Sequence, residues 1–171
     1  MDGAPTPGRQ ERGPVKAGYA TADFIVRPLA EADLPQVMEL EHQGYSHPWS
    51  ESVFRDCFRV NYRLLGLAEG ESLAGYAVLA LMYDEGHLLN LCIAPRHRRH
   101  GLARVLLRHV LKEAVSGGMG KVILEVRAGN LSAQRLYLSE GFTVIGKRPG
   151  YYPDPGGRED ALVMSLSFSG D

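Results

Sequence analysis

Arg98-Arg99-His100-Gly101-Leu102-Ala103-Arg104 lies between an apolar run ending at Ile93 and an amphipathic run beginning at Gly101. A strand, a basic glycine turn and a helix N-terminus therefore follow one another. The first turn of a helix leaves backbone N–H groups without intrahelical partners, and the macrodipole adds partial positive charge there. Main chain alone can then hold a phosphate, and glycine lets the backbone come close. The spacing matches neither the nucleoside-triphosphate loop G-x-x-x-x-G-K-[ST] nor the dinucleotide fingerprint G-x-G-x-x-G, so a different phosphorylated ligand is implied.

Beyond this turn the elements alternate. Leu102, Val105, Leu106, Val110 and Ala114 share one helix face, with Arg104, Arg108 and Lys112 along the other, and Ser116-Gly117-Gly118 ends the helix. Residues 121–126 read as a strand rich in β-branched residues, 130–139 as a short helix ended by Gly141, and 142–146 as another strand. A loop carrying Pro149, Pro153 and Pro155 is expected before a last strand at 161–168. On the other side of the turn, 62–68, 73–82 and 87–93 read as strands of an antiparallel meander, with turns at Gly70 and Asp84-Glu85-Gly86.

The N-terminal part supplies a first strand at Phe24-Ile25-Val26. A helix marked by Glu31, Ala32 and Asp33 follows, with Leu34, Val37, Met38 and Leu40 or Glu41 on its apolar face. A turn from Gly44 to Pro48 leads to Trp49 and a second helix capped by Ser50, with Val53, Phe54 and Cys57 expected inward. Residues 1–21, rich in Gly and Pro, read as a mobile tail, and 22–171 as a single domain. The expected fold is three-layer α/β: a mixed sheet of about seven strands, parallel near the strand before the glycine turn, with helices on both faces.

Composition narrows the function classes. A chain of 171 residues with 44% hydrophobic residues can bury one sizeable core, and a net charge of -1 argues against a globally basic nucleic-acid binder. No apolar stretch has the length of a membrane span, and no signal-peptide core is present, so a cytoplasmic protein that does not enter membranes is expected. Cys57 and Cys92 are the only cysteines and do not make a disulfide framework or a zinc site. The six histidines lack metal-ligand spacing; His97 and His100 sit in a basic turn without a carboxylate, so no metal is expected.

Taken together, Asn90 to Ile93, Arg98 to Arg104, Glu125-Val126-Arg127-Ala128-Gly129-Asn130, Tyr137 and Gly141-Phe142 resemble the GNAT superfamily of N-acetyltransferases. R-R-H-G-L-A resembles its acetyl-CoA pyrophosphate motif Q/R-x-x-G-x-G/A, and N-x-S-A-x-x-L-Y-x-x-x-G-F its second hallmark. Ala103 stands where glycine is commoner, which the pattern permits. A narrower resemblance covers residues 27–164 through H-P-W-S (His47 to Ser50), L-E-V-R-A-x-N, L-Y-x-x-x-G-F and Y-Y-P-x-x-x-G-R-E-D-A (Tyr151 to Ala161). These pieces resemble the RimI-type enzymes, which acetylate the N-terminal alanine of small-subunit ribosomal protein number eighteen.

The resemblance implies roles for individual residues. Glu125 would be the general base and Tyr137 the general acid. An amine attacks a thioester only when unprotonated, and an α-amino group with a pKa near 7.7–8.0 needs only a modest base. Strand alternation puts Glu125 with Ile123 and Arg127, on a strand otherwise apolar, where desolvation would raise its carboxyl pKa. The plainer reading of Glu125 is a solvated or Arg127-paired carboxylate, and that of Tyr137 a core tyrosine sharing a helix face with Leu131 and Leu138. Leu91, Cys92 and Ile93 match the strand whose backbone holds the pantetheine arm in the superfamily, and Cys92 reads as a buried inert thiol rather than an acyl-enzyme nucleophile.

Arg98, Arg99, His100, Gly101, Leu102, Ala103 and Arg104 would meet the cofactor phosphates, and Asn130 would cap a helix, hydrogen-bond the cofactor, or both. Trp49, Tyr151 and Tyr152, expected in loops, fit the walls of an acceptor-peptide groove, with Glu41, Asp84, Glu85, Glu159 and Asp160 as acids attracting a basic peptide. The expected partner is the N-terminal peptide of a ribosomal protein, with no direct nucleic-acid or membrane binding, and the protein a monomer or weak dimer. Acetylation of a lysine side chain or small amine is the alternative enzyme reading. A non-catalytic acyl-CoA-binding module is the alternative outside enzymes.

Overall fold

An aspartate organises the first turn. Asp33 takes both guanidinium arms of Arg27 at 2.9 Å and the N–H of Ala30 at 2.8 Å, closing the 3-10 turn Glu31–Asp33. The structure, a computed structural model, describes residues 24–169; the tail expected over 1–21 lies outside the described residues. β1 (Ile25–Pro28) precedes that turn, and α1 (Leu34–Gly44) and α2 (Glu51–Asp56) follow it. Then come β2 (Tyr62–Glu69), β3 (Ser72–Met82), β4 (Glu85–Ile93) and a 3-10 turn, Pro95–His97. α3 (Leu102–Ser116), β5 (Lys121–Arg127), α4 (Leu131–Ser139), β6 (Thr143–Asp154) and β7 (Gly157–Ser167) complete the order.

The sheet is mixed, as expected, in the order β1-β2-β3-β4-β5-β7-β6. β4 and β5 run parallel, while β1/β2, β5/β7 and β6/β7 are antiparallel. The parallel ladder runs from Glu85↔Lys121 to Leu88↔Leu124, although β4 continues to Ile93 and β5 to Arg127.

Two compact units form: the described parts of Met1–Val78 with Asn90–Val110, and of Leu79–Leu89 with Leu111–Asp171. The core of the first gathers Leu34, Val37, Leu40, Phe54, Tyr76, Val78 and Cys92, with Trp49 packed partly against it. Ser50 caps α2 by accepting the N–H of Val53, and Phe54 and Cys57 point inward as expected. Val53 does not; it is 41% exposed, because a helix of two turns has room for one narrow apolar stripe and Phe54 takes it. In the second unit Val122, Leu124 and Val126 are buried alternately along β5 and meet the interior with Phe142, Ala161 and Met164.

The expected loop around Pro149, Pro153 and Pro155 is instead a long β-hairpin, with β6 running to Asp154 and β7 starting at Gly157. β6 ends the sheet order, and its pairing with β7 is irregular between Arg148 and Tyr152. Proline lacks the ladder donor and is tolerated at such edges and bulges, so a proline-rich stretch can still be strand. Gly150, at φ 58, supplies the left-handed residue within that irregularity.

Candidate active site

The glycine turn of the first unit is built as its residues require. Arg99 and Gly101 have φ of 67° and 78°, the left-handed conformation that redirects the chain into α3. Leu102 is buried and pins the helix start, while Ala103 and Arg104 are half-buried on its first turn. Arg98 donates from Nε to the carbonyl of Ile93 at 3.1 Å, tying the turn back to the end of β4. The guanidinium expected to reach a phosphate thus also braces the backbone. Arg99 and His100 are exposed, and His100 Nδ1 lies 3.4 Å from the His97 carbonyl.

On β4, Leu91 is half-buried and Cys92 and Ile93 are buried. Burial, and next the Glu41 carboxylate, push the Cys92 thiol up to about 11, so it is not a thiolate nucleophile at neutral pH.

A buried network missed in the sequence lies beside this strand. Glu41, 1% exposed, accepts the N–H of Trp49 at 2.8 Å, the Nδ2–H of Asn90 at 3.0 Å and the hydroxyl of Tyr76. Asn90 Oδ1 accepts the Tyr45 hydroxyl at 2.8 Å. Burial drives the Tyr76 phenol far above its ordinary pKa, so it stays a donor. Glu41 is therefore not an acid attracting a peptide: it lies on the apolar face of α1, where a carboxylate persists only when its lone pairs are satisfied. Its place beside Leu40 in the helical stripe was the one signal available. Trp49 is half-buried, its ring 5.1 Å from that of Phe54, so packing orients it.

In the second unit, Glu125 sits half-buried on β5 with Ile123 and Arg127 on the same face. Its partner is Arg148 of β6, Nε to Oε2 at 2.5 Å. The neighbouring Glu125 raises the Tyr151 phenol, with burial adding to it. The carboxylate is thus held in an ion pair rather than desolvated alone, and Arg127 does not pair with it. Arg127 binds Glu159 and the Pro153 carbonyl, each at 3.1 Å, and lies 4.4 Å from the Tyr152 ring centroid.

Two of the remaining expected acids of this unit, Glu159 and Asp160, serve the backbone. Glu159 also accepts the Gly129 N–H at 2.7 Å, and Asp160 accepts the Gly150 N–H at 2.8 Å beside Lys147 at 3.3 Å. Glu85 pairs with His87 and Lys121. Asp84 is exposed.

Tyr137 is 8% exposed on α4, its ring 5.6 Å from Phe142. Burial, and then Tyr152, push its phenol up to about 12. The leucines expected to share its face do not, since Leu131 and Leu138 are 55% and 52% exposed. Tyr137 is the buried residue of a helix that is otherwise largely solvated. Tyr152 is half-buried and also pushed up to about 12 by burial and then Glu125. Tyr151 and Tyr152 are therefore strand residues, stacked edge-on at 5.0 Å. Asn130 caps α4, its side chain accepting the Ala133 N–H at 3.2 Å.

The chain belongs to the acetyltransferase (GNAT) family, whose pattern matches residues 34–142, and it is an acyltransferase. It is 37% identical, over 141 residues, to the [ribosomal protein bS18]-alanine N-acetyltransferase of Escherichia coli (strain K12), covering 82% of this chain and 95% of that one. The corresponding protein of Haemophilus ducreyi is 32% identical over 83% of this chain and 99% of the relative. Among solved structures, the ribosomal-protein-S18-alanine N-acetyltransferase from Escherichia coli superposes with a TM-score of 0.81 at 35% identity, over 86% of this chain and 97% of that one. Among the described residues, no helix is long and apolar enough to cross a membrane.

Proposed function

We propose that this enzyme transfers the acetyl group of acetyl-CoA to the N-terminal α-amine of a protein, and that the acceptor is the N-terminal alanine of ribosomal protein bS18. The observation that carries the acceptor is likeness to the bS18-alanine acetyltransferase of Escherichia coli along 95% of that protein's length. The turn from Arg98 to Arg104 suits the pyrophosphate, with α3 N–H groups, the left-handed Gly101 and the exposed Arg99 as the donor set. Leu91, Cys92 and Ile93 offer main chain beyond the parallel ladder for the pantetheine arm, and Asn130 is the cofactor-binding residue of the α4 cap.

Glu125 is the general base. The acceptor nitrogen loses its proton toward this carboxylate, attacks the thioester carbon, and the tetrahedral adduct collapses with cleavage of the C–S bond. Tyr137 is the acid that meets the departing sulfur. With its phenol near 12, full transfer to a thiolate of ordinary pKa near 8.5 is uphill by about 5 kcal/mol. Its contribution is therefore a hydrogen bond that strengthens as charge builds on sulfur. Trp49, Tyr151 and Tyr152 bind the acceptor.

The test is mass spectrometry of peptides incubated with enzyme and acetyl-CoA. A peptide copying the bS18 N-terminus should gain one acetyl group at its α-amine. An N-terminally blocked peptide carrying lysine should gain none; acetylation of that peptide alone would move the acceptor to a lysine side chain.

A further inference from the structure

We propose that Arg148 is a specificity-determining residue: its guanidinium competes with the acceptor's α-ammonium for Glu125. The inference rests on the reading of Glu125 as the base. An α-amine with a pKa near 7.7–8.0 is mostly a cation at pH 7, so what arrives at Glu125 carries the same charge as the guanidinium already paired there. Two cations crowded on one carboxylate repel each other, and the newcomer must displace the resident.

The surroundings of Arg148 suit displacement. Its side chain is 55% exposed, and it lies on the edge strand β6 at the start of the irregular pairing with β7. Moving it empties no core. Its guanidinium lies 5.4 Å from the Tyr151 ring centroid, so an aromatic face is at hand when the carboxylate is given up. The nearby Tyr151 hydroxyl is neutral and does not oppose an ammonium.

The neighbouring cations differ in this respect. Arg127 is committed to Glu159, the Pro153 carbonyl and the Tyr152 ring, and Lys147 pairs with Asp160. Arg148 is the cation that stands in the place of the substrate's charge. Once the ammonium has replaced it, an N–H proton passes to the Glu125 carboxylate and the amine becomes nucleophilic, with no other reactant required.

Steady-state kinetics with a bS18 N-terminal peptide tests this. Arg148→Ala should lower the acceptor KM two- to fivefold, the size of a half-exposed ion pair, and leave the acetyl-CoA KM in place. Arg148→Lys, which keeps a competing cation, should restore the higher KM. An N-acetylated product peptide, which has no terminal charge, should inhibit wild type and Arg148→Ala equally, whereas a merely structural role would shift both peptides together. In a Glu125→Gln background, Arg148→Ala should no longer lower the acceptor KM.

A raised or unchanged acceptor KM in Arg148→Ala overturns the proposal. Undiminished kcat in Glu125→Gln alone would instead overturn the base, an outcome read separately from the Arg148 series.

Discussion

The carboxylate of Glu41 accepts the backbone N–H of Trp49 at 2.8 Å, joining α1 to the residue just before the cap of α2. The same carboxylate takes donors from Tyr76 of β3 and Asn90 of β4, so one buried acid ties together elements far apart in sequence.

Removing that acid should be costly. Glu41→Ala strands the buried donors of Tyr76 and Asn90 and the half-buried N–H of Trp49, and at about 1–3 kcal/mol for each unsatisfied buried group the loss should be about 3 kcal/mol in a urea titration. Glu41→Gln keeps an acceptor oxygen and the shape, and should lose about 1 kcal/mol. The acceptor KM of Glu41→Gln should rise more than its acetyl-CoA KM, because the freed N–H belongs to Trp49.

Tyr137→Phe should lower kcat by about 10²-fold, with acetyl-CoA binding by calorimetry retained. In the free enzyme the phenol near 12 stays protonated through pH 10, so wild-type kcat/KM should show no descending limb from Tyr137 near pH 10, where an ordinary tyrosine would titrate. A limb at pH 10 that vanishes in Tyr137→Phe would contradict this environment.

The same shift makes a stability prediction. A tyrosine whose folded pKa lies above its unfolded value of 10 binds more protons when folded, so its contribution is complete below pH 10 and is lost as pH rises toward 12. The displacement of about two units corresponds to about 3 kcal/mol. Urea midpoints at pH 9 and pH 12 should fall further for wild type than for Tyr137→Phe.

Cys92 should be chemically silent. With its thiol held near 11 by burial, iodoacetamide should label the native protein at Cys92 far more slowly than after unfolding. Incubation with acetyl-CoA should leave no acetyl group on the protein by intact mass.

Gly75 of β3 lies directly against the end of β4. A Cβ there would lie 2.6 Å from the Cys92 carbonyl oxygen and 2.7 Å from Ile93 Cδ1, so Gly75→Ala must push β4 away. A cost of about 1–3 kcal/mol is expected in thermal unfolding, together with a higher acetyl-CoA KM.

Much of this was legible along the chain because it is local. The β4-turn-α3 connection follows from Ile93, Gly101 and the period of Leu102, Val105 and Leu106; the caps follow from Ser50 and Asn130; the mixed sheet follows from the order of elements. The candidates Glu125 and Tyr137 came from motif position, which does not depend on what packs beside them. The proline-rich hairpin reads as a loop along the chain, yet proline breaks a strand only where a ladder donor is needed, and β6 is an edge.

What the amino-acid order determined by itself, then, was the succession of elements, the glycine turn between β4 and α3 and the family, all encoded within short spans. Only the tertiary structure decided the partners of the charged groups. It turned Glu41 inward to Trp49, Tyr76 and Asn90, gave Arg127 to Glu159, and set Arg148 against Glu125. Those pairings join residues distant in sequence, and a carboxylate's environment is the sum of what folding brings to it, which no local pattern contains.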